Sequence, residues 1–154
     1  MTVTISPADA RRLDDVMAVM TAAFGDFYGE AWTRSQCAGI LPMHGVTLVV
    51  ADADDTANLL GFALYRTVAD DAELLLLAVA PGAQGRGIGR QLLTHFIEDT
   101  KNNGASKIHL EVRDGNRAIR FYEAAGFAPA GRRRNYYRGS DGQQYDALTF
   151  VLGG

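Results

Sequence analysis

Hydrophobic and polar residues follow two different periods along the chain, and the changes of period divide it into alternating strands and helices. Alternating or continuous apolar runs predict strands over Val3–Ile5, Val46–Ala51, Leu59–Val68, Glu73–Val79, Ser106–Arg113, Phe127–Tyr137 and Tyr145–Leu152. Apolar residues spaced three and four apart predict helices over Pro7–Phe24, Thr33–Leu41, Ile88–Asn103 and Asn116–Ala124. This order predicts an α/β fold with a mixed, mostly antiparallel central sheet of about seven strands and helices on both faces.

Local signals set the ends and directions of these elements. Ser6 is the expected cap of the first helix, with Pro7 at its first helical position, and Thr33 is the expected cap of the second helix. Short turns join the three strands between Val46 and Val79, which should therefore be antiparallel. The strand Ser106–Arg113 follows a helical crossover and should lie parallel to the strand before that helix.

A strand, a glycine-rich loop and a helix follow one another in the middle of the chain. Leu74–Val79 is continuously apolar, which is typical of a strand buried on both faces, and Pro81 ends it. Gly85, Gly87 and Gly89 then allow the backbone to bend and to approach a ligand closely. The free N–H groups and dipole of the following helix favour an anion, so this stretch predicts a phosphate site; a plain tight connection is the alternative.

The loop sequence narrows the choice of phosphate ligand. The Walker pattern is absent, and Arg90 stands where the third glycine of a dinucleotide fingerprint belongs. The remaining pattern, Gln84-x-x-Gly87-x-Gly89, resembles the R/Q-x-x-G-x-G/A loop of the GCN5-related N-acetyltransferase (GNAT) family, which holds the pyrophosphate of acetyl-coenzyme A. The element order is also similar to that of this family. The resemblance implies a cofactor site formed by Leu77, Ala78, Val79, Gln84, Gly85, Arg86, Gly87, Ile88, Gly89, Arg90, Asn116 and Tyr122.

The strand after the crossover has one polar face. Ile108, Leu110 and Val112 point one way, and the side chains on the opposite face are Lys107, His109, Glu111 and Arg113. A strand in the middle of a helix-covered sheet should be apolar on both faces, so the polar face needs water or a cavity. We expect a cleft where this strand splays from Leu74–Val79; an exposed strand face is the alternative.

The segment from Asn116 to Phe127 resembles the N-x-x-A-x-x-F/L-Y-x-x-x-G-F motif of the same family. This resemblance implies that Tyr122 lies near the thioester sulfur and protonates the departing thiolate, and a phenol with a pKa of roughly 10 suits that role. A core tyrosine is the alternative. The chain is one residue shorter than the family pattern between Glu111 and Tyr122, so either Gly115 or Asn116 takes the position of the family asparagine.

The end of the chain resembles the RimI-type ribosomal-protein alanine N-acetyltransferases within this family. The residues concerned are Leu110–Arg113, Arg133–Tyr137, Asp141–Gly142 and Asp146–Ala147. The resemblance implies that Glu111 is the general base, with Glu73 as a rival, and that Tyr136, Tyr137 and Trp32 contact the acceptor. Arg138 replaces the subfamily's proline, and one residue is inserted between Gly142 and Asp146.

Composition limits the cellular context. The 154 residues, 47% of them apolar, predict one domain over residues 1–154 without a membrane-spanning or signal segment, and hence a cytoplasmic protein. The one cysteine, Cys37, is expected to be a small buried residue. Residues 78–154 hold eleven Lys/Arg and seven Asp/Glu, against four and eleven in residues 1–77, which suits an anionic ligand of the second half. No metal, nucleic acid or membrane is expected as a partner, and the protein is expected to be a monomer or weak dimer.

The resemblance implies direct transfer of an acetyl group from acetyl-CoA to a protein N-terminal α-amine, with alanine on a ribosomal protein as the acceptor. We expect a backbone N–H on a bulged segment, Leu77–Val79, to stabilise the carbonyl oxygen. A small amine, an antibiotic or a lysine side chain is the rival acceptor, because acidic Asp26, Glu30 and Asp54–Asp55 would attract a cation. A non-catalytic acetyl-CoA-binding module is the alternative from another class.

Overall fold

The computed structural model describes residues 2–54 and 58–153, which contain the predicted elements in the predicted order. The strands are β1 (Val3–Ala8), β2 (Val46–Ala53), β3 (Leu59–Val68), β4 (Asp71–Val79), β5 (Lys107–Arg113), β6 (Phe127–Arg138) and β7 (Gln144–Leu152). The helices are α1 (Leu13–Phe24), α2 (Arg34–Ile40), α3 (Ile88–Asn102) and α4 (Ala118–Ala124), and single 3-10 turns at Ala10–Arg12 and Pro81–Ala83 precede α1 and α3.

The strands form one mixed sheet in the order β1-β2-β3-β4-β5-β7-β6. Neighbouring strands are antiparallel, and the exception is the parallel pair β4–β5. That exception follows from α3, which carries the chain back along the sheet before β5 begins. The predicted fold class and strand directions are therefore confirmed.

The two faces of the sheet are covered by different helices. One core cluster lies under α3 and α4 and includes Val49, Tyr65, Leu74, Ile88, Leu92, Phe96, Leu110, Phe127 and Phe150. The other lies under α1 and α2 and includes Val16, Met20, Cys37, Leu48, Val50, Phe62, Leu64 and Leu76. Each large buried apolar side chain stabilises the fold by roughly 1.5–3 kcal/mol relative to exposure. The burial of Cys37 agrees with the role predicted for it.

Helix ends follow the predicted signals at α2 and α3. Thr33 caps α2 by accepting a hydrogen bond from the Gln36 amide at 3.1 Å, and the Gln36 side chain accepts one from the Thr33 amide at 2.7 Å. Gly104, at φ +98°, follows α3 in the left-handed region that favours glycine. Among the described residues, no helix combines the length and the apolar character needed to cross a membrane.

The predicted start of the first helix was wrong. Ser6 and Pro7 lie in β1, opposite Val50 and Val49 of β2. β1 is at the edge of the sheet, where a proline without an N–H group is tolerated. The cap is Asp9, whose side chain accepts a hydrogen bond from the Arg11 amide at 2.9 Å at the start of the 3-10 turn that leads into α1.

The interpretation of β4 as buried on both faces was also wrong. Its residues alternate between buried and half-buried: Leu74, Leu76 and Ala78 are buried, whereas Leu75, Leu77 and Val79 are half-buried, and all six line the groove described below. A β-bulge is present at Leu75, because Leu64 of β3 pairs with Leu76 while Tyr65 pairs with Leu74. The predicted bulge over Leu77–Val79 is therefore displaced toward the start of the strand.

Candidate active site

A groove opens where β4 and β5 separate. The two strands pair only from Asp71 opposite Lys107 to Leu74 opposite Leu110, and the register ends there. Beyond that point lies a groove of about 990 Å³, lined on one side by Leu74–Val79 and on the other by Leu110–Arg113. The strand edge that β4 turns toward the groove offers backbone N–H and C=O groups to an extended ligand. The cleft predicted from the polar face of β5 is present.

The glycine-rich loop and the start of α3 form one end of the groove. Gly85 and Gly87 have φ of +81° and +80°, and a Cβ atom at either position would meet no atom within 4 Å. Glycine is favoured at both positions because the backbone is in the left-handed region. The space beside the loop is open. Gly87 is the N-cap residue of α3 and has no side chain to cap the helix. The first N–H groups of the helix therefore face that open space. Gln84 ties the loop to β4 by donating from Nε2 to the Val79 carbonyl at 3.1 Å.

Glu111 is a nearly buried carboxylate in the wall of the groove. Its side chain is 11% exposed, and its Oε1 lies 3.0 Å from Nε of Arg133. Its Oε2 is buried and has no hydrogen-bond partner among the described residues. Burial raises the pKa of Glu111 above its usual value; the charge of Arg133 opposes this rise and that of Glu73 adds to it. A carboxylate with one uncommitted oxygen and a raised pKa is suited to accept a proton from a bound ligand.

Tyr122 faces the same groove from α4 and is 8% exposed. Its ring packs edge-on against Phe121 and Phe127, with centroid distances of 5.2 and 6.1 Å. Burial, with a smaller contribution from the negative charge of Glu30, raises the pKa of Tyr122 well above that of a free phenol. A phenol is protonated at neutral pH, so Tyr122 has a proton to donate.

Asn116 lies where β5 and α4 approach the groove. Its Oδ1 accepts a hydrogen bond from the Ala118 amide at 2.8 Å, and its Nδ2 donates to Oε2 of Glu30 at 2.6 Å. Gly115, at φ +87°, lines the groove beside it. Both oxygen and nitrogen of the Asn116 amide are thus occupied by protein atoms, while Gly115 presents backbone to the groove.

The tyrosine pair lies on an irregular part of β6. The pairing with β7 shifts between Arg133 and Tyr137, and Asn135 adopts a left-handed φ of +57° with its amide donating to Asp146 Oδ1 at 2.9 Å. Tyr137 lines the groove, and burial raises its pKa well above the usual value, as do the neighbouring Tyr136, Glu30 and Glu111. Tyr136 is 50% exposed and packs edge-on against Tyr137 at 5.0 Å.

The structure brings most, but not all, of the predicted site residues to the groove. Those that line it are Leu77, Ala78, Val79, Gln84, Gly85, Gly87, Ile88, Gly89, Arg90, Glu111, Asn116, Tyr122 and Tyr137. Arg86 is exposed on the loop outside this lining, and the rival base Glu73 and Tyr136 also lie outside it. The structure does not bring Trp32 to the groove. Its backbone N–H donates a hydrogen bond to the sulfur of Met20 at 3.2 Å, and its side chain packs against the core under α1 and α2.

The acidic residues proposed to attract a small cation do not form one cluster. Asp54 accepts a hydrogen bond from Thr4 where β1 meets β2, whereas Glu30 lines the groove and Asp26 is exposed on the loop before it. Asp55 lies outside the described residues. Among residues 2–54 and 58–153, no three His, Cys, Asp or Glu side chains are grouped so that they could hold a metal ion.

The sequence matches the profile of the "Acetyltransferase (GNAT) family" over residues 13–127. The chain belongs to this family. The matched span contains the glycine-rich loop, Glu111 and Tyr122 together, which are the groups that the groove assembles.

Individual relatives are similar over parts of the chain. The chain is 44% identical over 92 residues to the [ribosomal protein bS18]-alanine N-acetyltransferase of Escherichia coli K12, covering 59% of this chain and 62% of that protein. It is 38% identical over 93 residues to the N-alpha-acetyltransferase RimI of Mycobacterium tuberculosis H37Rv, covering 57% of each chain. The chain thus spans about 62% of the length of the first of these curated relatives.

Solved structures extend the likeness over nearly the whole chain. The crystal structure of the ribosomal-protein-S18-alanine N-acetyltransferase from Escherichia coli is 31% identical, with a TM-score of 0.87, and the match covers 98% of this chain and 93% of that one. Arabidopsis thaliana NAA60, solved in complex with acetyl-CoA, shares the fold with a TM-score of 0.83 at 18% identity, covering 98% of each chain.

Glu30, which the sequence suggested only as one of several acidic residues that would attract a cation, lies in the groove as the partner of two other groove residues. It lies on the loop between α1 and α2, its side chain is 12% exposed, and it pairs with Arg113 at 3.3 Å in addition to its bond with Asn116. On the same loop, Tyr28 packs beneath the Arg113 guanidinium, 3.5 Å from the ring centre. No local pattern around Glu30 indicates a partner 86 residues away.

Proposed function

We propose that the protein transfers the acetyl group of acetyl-CoA to the α-amine of a protein N-terminus. The observation that carries this proposal is the position of Glu111 and Tyr122 along one groove that ends at the glycine-rich start of α3. A proton acceptor, a proton donor and an anion site are the parts that acyl transfer from a phosphate-bearing thioester requires.

The residues of the groove fit acetyl-CoA. The N–H groups of the loop from Gln84 to Arg90 would hold the pyrophosphate, and Arg86 and Arg90 add positive charge beside it. The free edge of β4, from Leu75 to Val79, would pair with the extended amide-bearing arm. When bound, the cosubstrate supplies an acyl group already activated as a thioester.

Glu111 and Tyr122 then divide the proton transfers. The uncommitted Oε2 of Glu111 receives a proton from the acceptor nitrogen, directly or through water, as the new N–C bond forms. The hydroxyl of Tyr122 protonates the sulfur as the C–S bond breaks. An α-amine with a pKa of roughly 8 loses its proton more readily than lysine at roughly 10.4, so one modest base is sufficient for it.

The acceptor is proposed to be an N-terminal alanine of a ribosomal protein. The name of the Escherichia coli relative supports this substrate, and that of the Mycobacterium tuberculosis relative supports an N-terminal α-amine. Tyr137 at the groove and Tyr136 beside it would wall a slot for an extended N-terminus, and their hydroxyls would bond its backbone. A bulky first side chain would not fit such a slot.

The test is incubation with acetyl-CoA and three acceptors, followed by mass spectrometry. These are a peptide beginning with alanine, the same peptide blocked at its N-terminus and carrying an internal lysine, and a polyamine. We expect acetylation of the free N-terminus alone. Equal turnover of the blocked peptide or the polyamine would favour the small-amine or lysine alternative, and acetyl-CoA binding without transfer to any acceptor would favour a non-catalytic module.

A further inference from the structure

Glu30 contacts residues of two other segments that line the groove. It lies on the loop between α1 and α2, its Oε2 accepts a hydrogen bond from Asn116 Nδ2 at 2.6 Å, and the same oxygen is 3.3 Å from Nε of Arg113. Both charged side chains are nearly buried, with exposures of 12% and 11%. The Asn116 contact is the shorter of the two and is a hydrogen bond, whereas Arg113 Nε has no hydrogen-bond partner among the described residues.

Each partner of Glu30 is adjacent to a group proposed for the chemistry. Asn116 accepts a hydrogen bond from the amide of Ala118, the first residue of α4, and Tyr122 follows one turn later on that helix. Arg113 ends β5, two residues after Glu111, and lies over the ring of Tyr28. A shift of Glu30 would therefore be transmitted to the start of α4.

We propose that Glu30 is a positioning residue, which fixes the Asn116 side chain and thereby the start of α4 so that Tyr122 faces the groove. This inference rests on the proposed acetyl transfer and adds a residue to it. The chain is short between Glu111 and Tyr122, and the α1–α2 loop supplies the contact that holds this shortened connection in place.

A different role for Glu30 would be attraction of the acceptor ammonium, and two variants separate the roles. Glu30→Gln keeps the length of the side chain and an oxygen that accepts from Asn116, but removes the charge. Glu30→Asp keeps the charge and shortens the reach by about 1.5 Å, which breaks the contact with Asn116. Asp26→Ala, which removes an exposed acidic residue from the same loop, is the matched control.

If Glu30 is a positioning residue, kcat should fall when the side chain at position 30 is shortened and should change little when only its charge is removed. In acetylation of the alanine peptide, we expect Glu30→Asp to lower kcat about tenfold or more with the peptide KM within about twofold, because small displacements of catalytic groups have large effects on rate. Glu30→Gln and Asp26→Ala should stay within about threefold of the wild type. A raised peptide KM in Glu30→Gln, with Glu30→Asp near the wild type, overturns positioning in favour of ammonium binding.

Amide hydrogen exchange provides a readout that does not depend on acetyl transfer. The Ala118 amide, held by Asn116 Oδ1, should exchange several-fold faster in Glu30→Asp than in the wild type, Glu30→Gln or Asp26→Ala. Unchanged exchange and unchanged kcat in Glu30→Asp overturn the inference. If the wild-type protein acetylates none of the peptides but Ala118 exchange still responds to Glu30→Asp, the proposed function fails and the positioning contact stands.

Discussion

Replacing Arg133 with Met should move the acidic limb of the pH–rate profile to higher pH. Arg133 Nε lies 3.0 Å from Glu111 Oε1, and the positive charge opposes the rise in the Glu111 pKa that burial causes. Without this charge the pKa of Glu111 is higher still. Because only the ionised carboxylate accepts a proton, the activity that depends on it is then lost at a higher pH as the solution is acidified.

The exposure of Arg133 limits the size of this shift. Its side chain is 61% exposed, so solvent screens the pair, and a pair of this kind contributes roughly 0.2–1 kcal/mol. One pH unit corresponds to about 1.36 kcal/mol, so the acidic limb of the profile should move by about 0.2–0.7 pH unit. The aliphatic part of Met keeps the packing of the arginine stem, so the change is confined to the charge.

The assay is kcat/KM for the alanine peptide between about pH 5 and pH 9 at constant ionic strength. The peptide amine titrates near pH 8, so the slope on the acidic side is one below that pKa and becomes two below the pKa of Glu111. The pH at which the slope changes from one to two should be higher in Arg133→Met than in the wild type. Arg134→Met removes the same charge from the neighbouring residue and is the control. No movement in Arg133→Met, or equal movement in both variants, would refute the role of this ion pair.

Three further variants test the remaining assignments. Gly87→Glu should abolish acetyl-CoA binding in calorimetry by placing a carboxylate at the anion site, while Gly87→Ala, with the same backbone strain of about 1–2 kcal/mol at φ +80°, should keep measurable affinity. Glu111→Gln should lower kcat with little effect on acetyl-CoA affinity and recover partly at higher pH; the same profile in Glu73→Gln instead would identify the rival base. Tyr137→Ala should raise the peptide KM more than Tyr136→Ala, since only Tyr137 lines the groove, and loss of thermal stability without a change in KM would indicate packing alone.

The parts of the fold that depend on local signals could be predicted from the sequence. The β3 strand and the start and end of α3 follow from apolar periodicity and glycine positions, and the alternation along β5 predicted a cleft beside Glu111. The predicted helix start at Ser6 and Pro7 was wrong because it relied on a local signal. The place of these residues in β1 depends on pairing with β2. Local propensity loses to such tertiary pairing.

The residues that were misplaced or missed depend on long-range contacts. The bulge at Leu75 arises from a register shift between β3 and β4, which no pattern within β4 reveals. Trp32 is next to a predicted cap, and only the packing of α1 directs it toward Met20 instead of the groove. Glu30 is held by Asn116, which lies just before α4, so its role becomes visible only when both segments are folded together.

The short paired region between β4 and β5 links ligand binding to conformational stability. The parallel pair joins the two halves of the sheet over a register of only Asp71–Leu74 with Lys107–Leu110, and the groove widens directly beyond it. A ligand bound there would contact both halves of the sheet and would bind only the native state, so by mass action it would stabilise the protein by about 2.7 kcal/mol at a concentration one hundred times its dissociation constant. If the proposed cosubstrate is that ligand, a higher cellular level of it would raise the resistance of this protein to unfolding and proteolysis.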